Sequence, residues 1–109
     1  MDFERIYRDF TELARTGESA DGSVTRLLFD KSFWEVARKT KAYMEGAGLT
    51  VWTDACGNVH GTWSCGVPEA KTVYMGSHLD TVKEGGLYDG MLGVVGAVVA
   101  LRACLADRA

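Results

Sequence analysis

The chain has 109 residues, 47% hydrophobic and 25% charged, with a net charge of −3, which is ordinary globular material with apolar content for one modest core, hence one domain or part of one. It has no cluster of Lys and Arg and so lacks the concentrated positive charge that nucleic acid or an anionic membrane surface demands. No apolar run reaches the ~20 residues that span a bilayer, and Asp2 and Glu4 beside Arg5 break the basic-then-apolar order of a signal peptide; the expected setting is cytoplasmic, with a small-molecule substrate.

Phe3, Ile6, Tyr7, Phe10, Leu13 and Ala14 recur at helical spacing, with Asp2 placed to cap the start and Gly17 to stop the end, and they predict an amphipathic first helix. Gly17 to Thr25 reads as a polar loop. A second helix opens after Asp30, where Phe33, Val36, Ala37, Thr40, Tyr43, Met44 and Ala47 trace one face as far as Gly46 or Gly48. From Leu49 the texture turns β-branched and aromatic: Leu49 to Thr53 and Val59 to Ser64 predict two strands joined as a hairpin around Gly57-Asn58. Thr72 to Met75 predicts a short buried strand. Met91 to Leu105, apolar nearly all round, predicts a helix buried on several sides. This order of elements is α/β. Cys56, Cys65 and Cys104 are odd in number and form no C-x-x-C pair, which argues against a disulfide framework or a thiolate zinc site, and Cys104 is expected to pack as a small hydrophobe. Trp34, Trp52, Trp63 and Tyr43 are expected in core or hairpin packing.

The chemistry concentrates in Gly76-Ser77-His78-Leu79-Asp80-Thr81-Val82 and Gly85-Gly86-Leu87-Tyr88-Asp89-Gly90. If the run into His78 stays extended, His78 and Asp80 share a face. The Asp80 carboxylate can then accept one ring N–H, fix the tautomer, and leave the other nitrogen for a metal. Such a site would follow the carboxyl end of a strand, where open α/β sheets place their ligands. Asp89 lies beyond a diglycine that lets the backbone double back, and its two oxygens can bridge a pair of metal ions, which no histidine can do. Gly90 permits a sharp entry into the last helix, whose N-terminal dipole favours an anion such as a substrate carboxylate. Each residue also has a simpler reading: His78 as a hydrogen-bonded structural residue, Asp80 as a turn former, Asp89 as the cap of the following helix, Gly85-Gly86 as only a turn. Their combination favours the metal reading. His60 has no acidic neighbour in sequence and reads as a surface or hairpin residue; Arg26 reads as an exposed structural arginine, with a substrate carboxylate as its alternative partner.

Together with Asp54-x-x-Gly57-Asn58-x-x-Gly61 and Val24-Thr25-Arg26-Leu27, these strings resemble the N-terminal part of the dinuclear-metal amidohydrolases that include allantoate amidohydrolase and N-carbamoyl-L-amino-acid hydrolase, within the aminoacylase and metallo-carboxypeptidase superfamily. The resemblance runs from roughly the first helix to the last. It implies an α/β fold, the N-terminal portion of a mixed-sheet, phosphorylase/hydrolase-like catalytic domain with flanking helices, over residues 1–109 and without the family's lid or dimerisation domain. It also implies that His78 binds one metal, Asp89 bridges two and Asp80 supports His78, with zinc or manganese suiting the donors. In the family the remaining ligands and the general-base glutamate come later, beginning with a Glu-Glu pair, and none of them falls within these residues. The implied activity is metal-dependent hydrolysis of linear C–N bonds in ureido or N-carbamoyl compounds. The chain by itself is then expected to be inactive, to hold metal weakly or not at all, and to self-associate or form a homodimer through uncovered apolar surface. Two other classes stay open: a non-catalytic binding or assembly module that keeps the motif, and an aminopeptidase or deacylase relative acting on peptide-like substrates.

Overall fold

The structure is a computed structural model and describes residues 1–107. Helix α1 (Phe3–Ala14) starts where the Asp2 carboxylate accepts the Arg5 backbone N–H at 3.1 Å, and it turns Phe10, Leu13 and Ala14 inward. Helix α2 (Lys31–Gly46) begins after Asp30 without a side-chain cap bond and buries Phe33, Val36, Ala37 and Thr40. Its end is closed by Gly48, at φ 88, whose N–H reaches the Glu45 carbonyl at 2.9 Å. Strands β1 (Thr50–Thr53) and β2 (Val59–Thr62) form an antiparallel hairpin in which Trp52 lies opposite His60. Helix α2 can lie against this hairpin because position 61 is glycine: a Cβ there would stand 2.8 Å from Met44 Sδ and 2.9 Å from Leu49. Helix α3 (Met91–Ala106) packs on α1, and Phe10, Leu13, Ala14, Val36, Met91, Val94 and Val95 make the core between the three helices. The result is a small mixed α/β arrangement of three helices with a two-stranded sheet packed on α2.

Several expectations need correction. Thr72 to Met75 is neither a strand nor buried; Val73 and Tyr74 are each 84% exposed. An apolar run becomes a strand only when a neighbour completes its hydrogen-bond ladder, and among the described residues none pairs with it. The His78 motif therefore follows an extended, unpaired segment rather than a strand end. Helix α3 buries one face, Met91, Val94, Val95 and Val98 at i, i+3, i+4 and i+7, while Leu92 and Cys104 on other faces are exposed. Cys104 is thus not a packed hydrophobe, and all three cysteines are free and exposed. Arg26, read as exposed, is buried to 1% exposure. Trp34 and Trp52 are about half exposed, the first stacked on Phe29 and the second on His60 across the hairpin.

His60 does have an acidic partner, brought to it by the turn. Asp54 accepts the backbone N–H groups of Cys56 and Asn58 at 2.9 Å each, an Asx-type closure, while its other oxygen lies 2.9 Å from His60 Nε2 and 2.9 Å from Asn58 Nδ2. The His60 and Asn58 donors hold the Asp54 carboxyl well below the usual carboxylate range. A depressed folded-state pKa contributes stability that is fully present above the unfolded value of about 3.9 and is lost as pH falls through the folded value. The hairpin is therefore expected to loosen only in strong acid, read as a change in Trp52 fluorescence. Asp54→Asn should remove that acid transition, and an unchanged acid profile in the variant would disprove the assignment.

Candidate metal centre

Segment 76–81 is laid across the start of α3, and two glycines of that region make the approach possible. A Cβ on Gly90 would lie 2.5 Å from the His78 carbonyl oxygen and 2.6 and 2.7 Å from ring atoms Cε1 and Nδ1; a Cβ on Gly93 would lie 2.7 Å from Ser77 Cβ. Gly90 also has φ 78, a region open to glycine and strained for other residues. The loop leading back to Asp89 is fastened by a two-bond bridge between Val24 and Gly85, with Val24 N–H to Gly85 O at 2.9 Å and Gly85 N–H to Val24 O at 2.7 Å. Tyr88, next to Asp89, stacks on buried Phe10 with ring centroids 5.3 Å apart, which ties the loop to α1.

These contacts bring His78, Asp80 and Asp89 together. His78 Nδ1 is 2.8 Å from the backbone oxygen of Asp80 and 3.5 Å from its carboxylate, so the main chain, rather than the side chain, takes the shorter ring contact. A carbonyl oxygen only accepts, so Nδ1 carries a hydrogen, and in the neutral form of the ring Nε2 presents its lone pair. Asp89 Oδ1 stands 3.4 Å from that Nε2. In that form two acceptors face each other, an arrangement that a cation between them satisfies. Two donors of one tetrahedral ion, each at roughly 2.0–2.2 Å from it, are separated by about 3.4 Å, so the spacing and the donor types fit a divalent ion. Asp89 has no competing duty as a helix cap, since the N-cap of α3 is Gly90 and no side chain bonds there. The side chains of His78 and Asp89 are 48% and 65% exposed, open to an ion and to a substrate. Among the described residues no group of three or more His, Cys, Asp or Glu side chains is arranged to hold an ion.

Arg26, expected on the surface, and Thr81, given no separate role by the sequence, both support the site. The Arg26 side chain reaches the carbonyls of Leu79 (2.7 Å), Ala14 (3.1 Å) and Thr16 (2.6 Å), and its backbone N–H bonds Thr81 Oγ1 at 2.8 Å. Burial lowers the Arg26 guanidinium's pKa and the negative charge of Asp80 opposes that shift. Val24 and Arg26 are buried with Thr25 between them less so, the period of an extended segment, and no residue-type pattern in Val-Thr-Arg marks the arginine as the inward one.

No protein-family model matches the chain. It is 41% identical over 95 residues to N-carbamoyl-L-amino acid amidohydrolase of Geobacillus stearothermophilus, covering 87% of this chain and 23% of that protein. It is 43% identical over 95 residues to allantoate amidohydrolase of Bacillus subtilis (strain 168), covering 86% and 23%, and 36% identical over 102 residues to ureidoglycolate hydrolase of Oryza sativa subsp. japonica, covering 94% and 21%. Among solved structures, a hydantoinase/carbamoylase family amidase from Burkholderia vietnamiensis superposes with a TM-score of 0.89 at 30% identity, over 99% of this chain and 26% of that one. The corresponding amidase from Burkholderia ambifaria gives 0.86 at 33% identity, over 94% and 25%. In sequence and in fold, then, the chain matches the N-terminal part of the hydantoinase/carbamoylase amidases. Its relatives within that class are amidohydrolases named for allantoate and N-carbamoyl amino acids, and the chain spans about a quarter of their length. Among the described residues no helix is long and apolar enough to cross a membrane.

Proposed function

We propose that this chain forms the N-terminal part of the catalytic domain of a metal-dependent amidohydrolase that cleaves linear C–N bonds in ureido or N-carbamoyl compounds. The observation that carries this reading is the 3.4 Å separation of His78 Nε2 and Asp89 Oδ1, with the other ring nitrogen already committed to Asp80 O. His78 would hold one ion and Asp89 would be shared by two, while the Asp80 peptide fixes the imidazole tautomer. Divalent zinc or manganese, when bound, supplies Lewis-acid polarisation of a carbonyl and an activated water. The chain's own contribution is to orient the two donors and to keep a half-exposed face for the substrate. Two donors fall short of the three protein ligands usual in a catalytic zinc site, so the chain alone holds metal weakly and turns nothing over.

The test is an assay of the purified chain against allantoate and N-carbamoyl amino acids with added zinc or manganese, alongside NMR titration with the same ions. The expected result is no turnover, with weak shifts confined to His78 and Asp89 and lost in His78→Ala. Turnover by the chain alone would show that the site is complete, and shifts that leave both residues unmoved would remove the metal reading. The exposed apolar side chains Val67, Val73, Tyr74, Met75 and Leu92 also support self-association. Sedimentation should show concentration-dependent association, and Val73→Glu with Tyr74→Glu should weaken it.

A further inference from the structure

We propose that Arg26 is the positioning residue that sets the tautomer of His78, acting through the peptide between Asp80 and Thr81. This rests on the metal-ligand role assigned to His78 and extends it to a residue on another segment of the chain.

The argument starts from one planar unit. The C=O of Asp80 and the N–H of Thr81 belong to the same trans peptide, so they point in opposite directions and cannot turn independently. Thr81 N–H donates to the Arg26 carbonyl at 2.8 Å, and the Asp80 carbonyl accepts His78 Nδ1–H at 2.8 Å. Fixing the first bond therefore aims the second. Arg26 fixes it from both flanks. Its Nε–H holds the carbonyl of Leu79 at 2.7 Å on the preceding peptide, and its backbone N–H holds Thr81 Oγ1 at 2.8 Å on the following residue.

The other end of the guanidinium supplies the fixed point. Nη1 donates to the carbonyls of Ala14 and Thr16 at 3.1 and 2.6 Å, at the end of α1 and just beyond it. One planar cation thus links the C-terminal turn of the first helix to the backbone of the histidine motif, with Nε and Nη1 bonding different segments. Lysine carries the charge but has no such fork. The residue is fully buried while His78 is half exposed, so the clamp is shielded from water and the group it aims is not.

The experiment is NMR of the imidazole nitrogens of His78 in the 109-residue chain at alkaline pH, without metal. In the wild-type chain Nδ1 should be protonated and Nε2 should not. Arg26→Met and Arg26→Lys should both shift the ring toward a mixture weighted to the Nε2–H form that free imidazole side chains favour, with helix content by circular dichroism retained. A residue that merely supports the fold would leave the tautomer of the folded fraction unchanged, and that result in both variants overturns the proposal. If neither Arg26 variant folds, Thr81→Val removes the Oγ1 contacts to Arg26 N–H, Val24 O and Val82 O at nearly constant volume; the same drift is expected, and an unmoved ring refutes the clamp. Broadening of His78 by added Mn²⁺ is read in the same samples. Its absence from the wild-type chain would sink the metal role while leaving the tautomer result to stand or fall separately.

Discussion

Gly90→Ala is expected to destabilise the chain by about 2–6 kcal/mol and to displace the His78 ring, although it adds a single methyl group. Two costs combine. Gly90 sits at φ 78, ψ −52, close to the rare and strained γ-turn conformation, which costs of order 1–3 kcal/mol for a residue with a Cβ. The new carbon would also stand 2.5 Å from the His78 carbonyl oxygen. That atom is backbone and cannot swing aside like the end of a long side chain, so overpacking of about 1–3 kcal/mol follows. Against a total stability of roughly 5–15 kcal/mol for a domain, the loss is large enough to read in a urea melt. Gly96→Ala is the internal comparison: it lies in the same helix, nothing stands within 4 Å of its Cβ position, and it should stabilise by roughly 0.5–1 kcal/mol. Opposite signs at positions 90 and 96 would show that position 90 requires glycine, through its φ and its contact with the histidine together, whereas position 96 does not. Equal effects would contradict the close approach on which the site geometry depends.

What the sequence made legible divides along local and non-local lines. The periodicities of Phe10, Leu13 and Ala14 and of Phe33, Val36 and Ala37 are local, and both helices formed with those residues inward. The hairpin was legible for the same reason, because the turn around Gly57-Asn58 is closed by Asp54 within its own segment. The pairing of His78 with Asp89 could be expected from the glycines between and after them. The atom that takes the Nδ1 hydrogen could not, because backbone carbonyls are invisible to residue-type reasoning. Thr72 to Met75 failed because strand formation depends on a partner strand, and Arg26 failed because its burial depends on carbonyls from residues 14, 16 and 79 that only the fold assembles. Arginine is rarely fully buried, so the average behaviour of the residue type pointed the wrong way at the position where it is most consequential.

Phe10→Ala is expected to cost about 3–5 kcal/mol and to loosen Asp89 along with the core. Phe10 is 4% exposed and stands in the cluster with Leu13, Val36 and Met91, so truncation removes apolar contact and leaves a cavity between α1, α2 and α3. It also faces Tyr88 in a stack with planes 15° apart, an interaction worth about 0.5–1.5 kcal/mol beyond burial. Phe10→Leu keeps most of the volume but abolishes the stack, and Tyr88→Leu abolishes it from the other side. A double-mutant cycle of the two should return a coupling of that size, read from urea melts. The functional half of the expectation concerns the neighbouring carboxylate. If the stack holds the Asp89 loop toward His78, both leucine variants should reduce the shifts that zinc or manganese induces at Asp89 while the fold persists. A coupling near zero, with Asp89 responding to metal as before, would mean that the Val24–Gly85 bridge and Gly90 suffice to place the carboxylate, and that the aromatic contact belongs to the core alone.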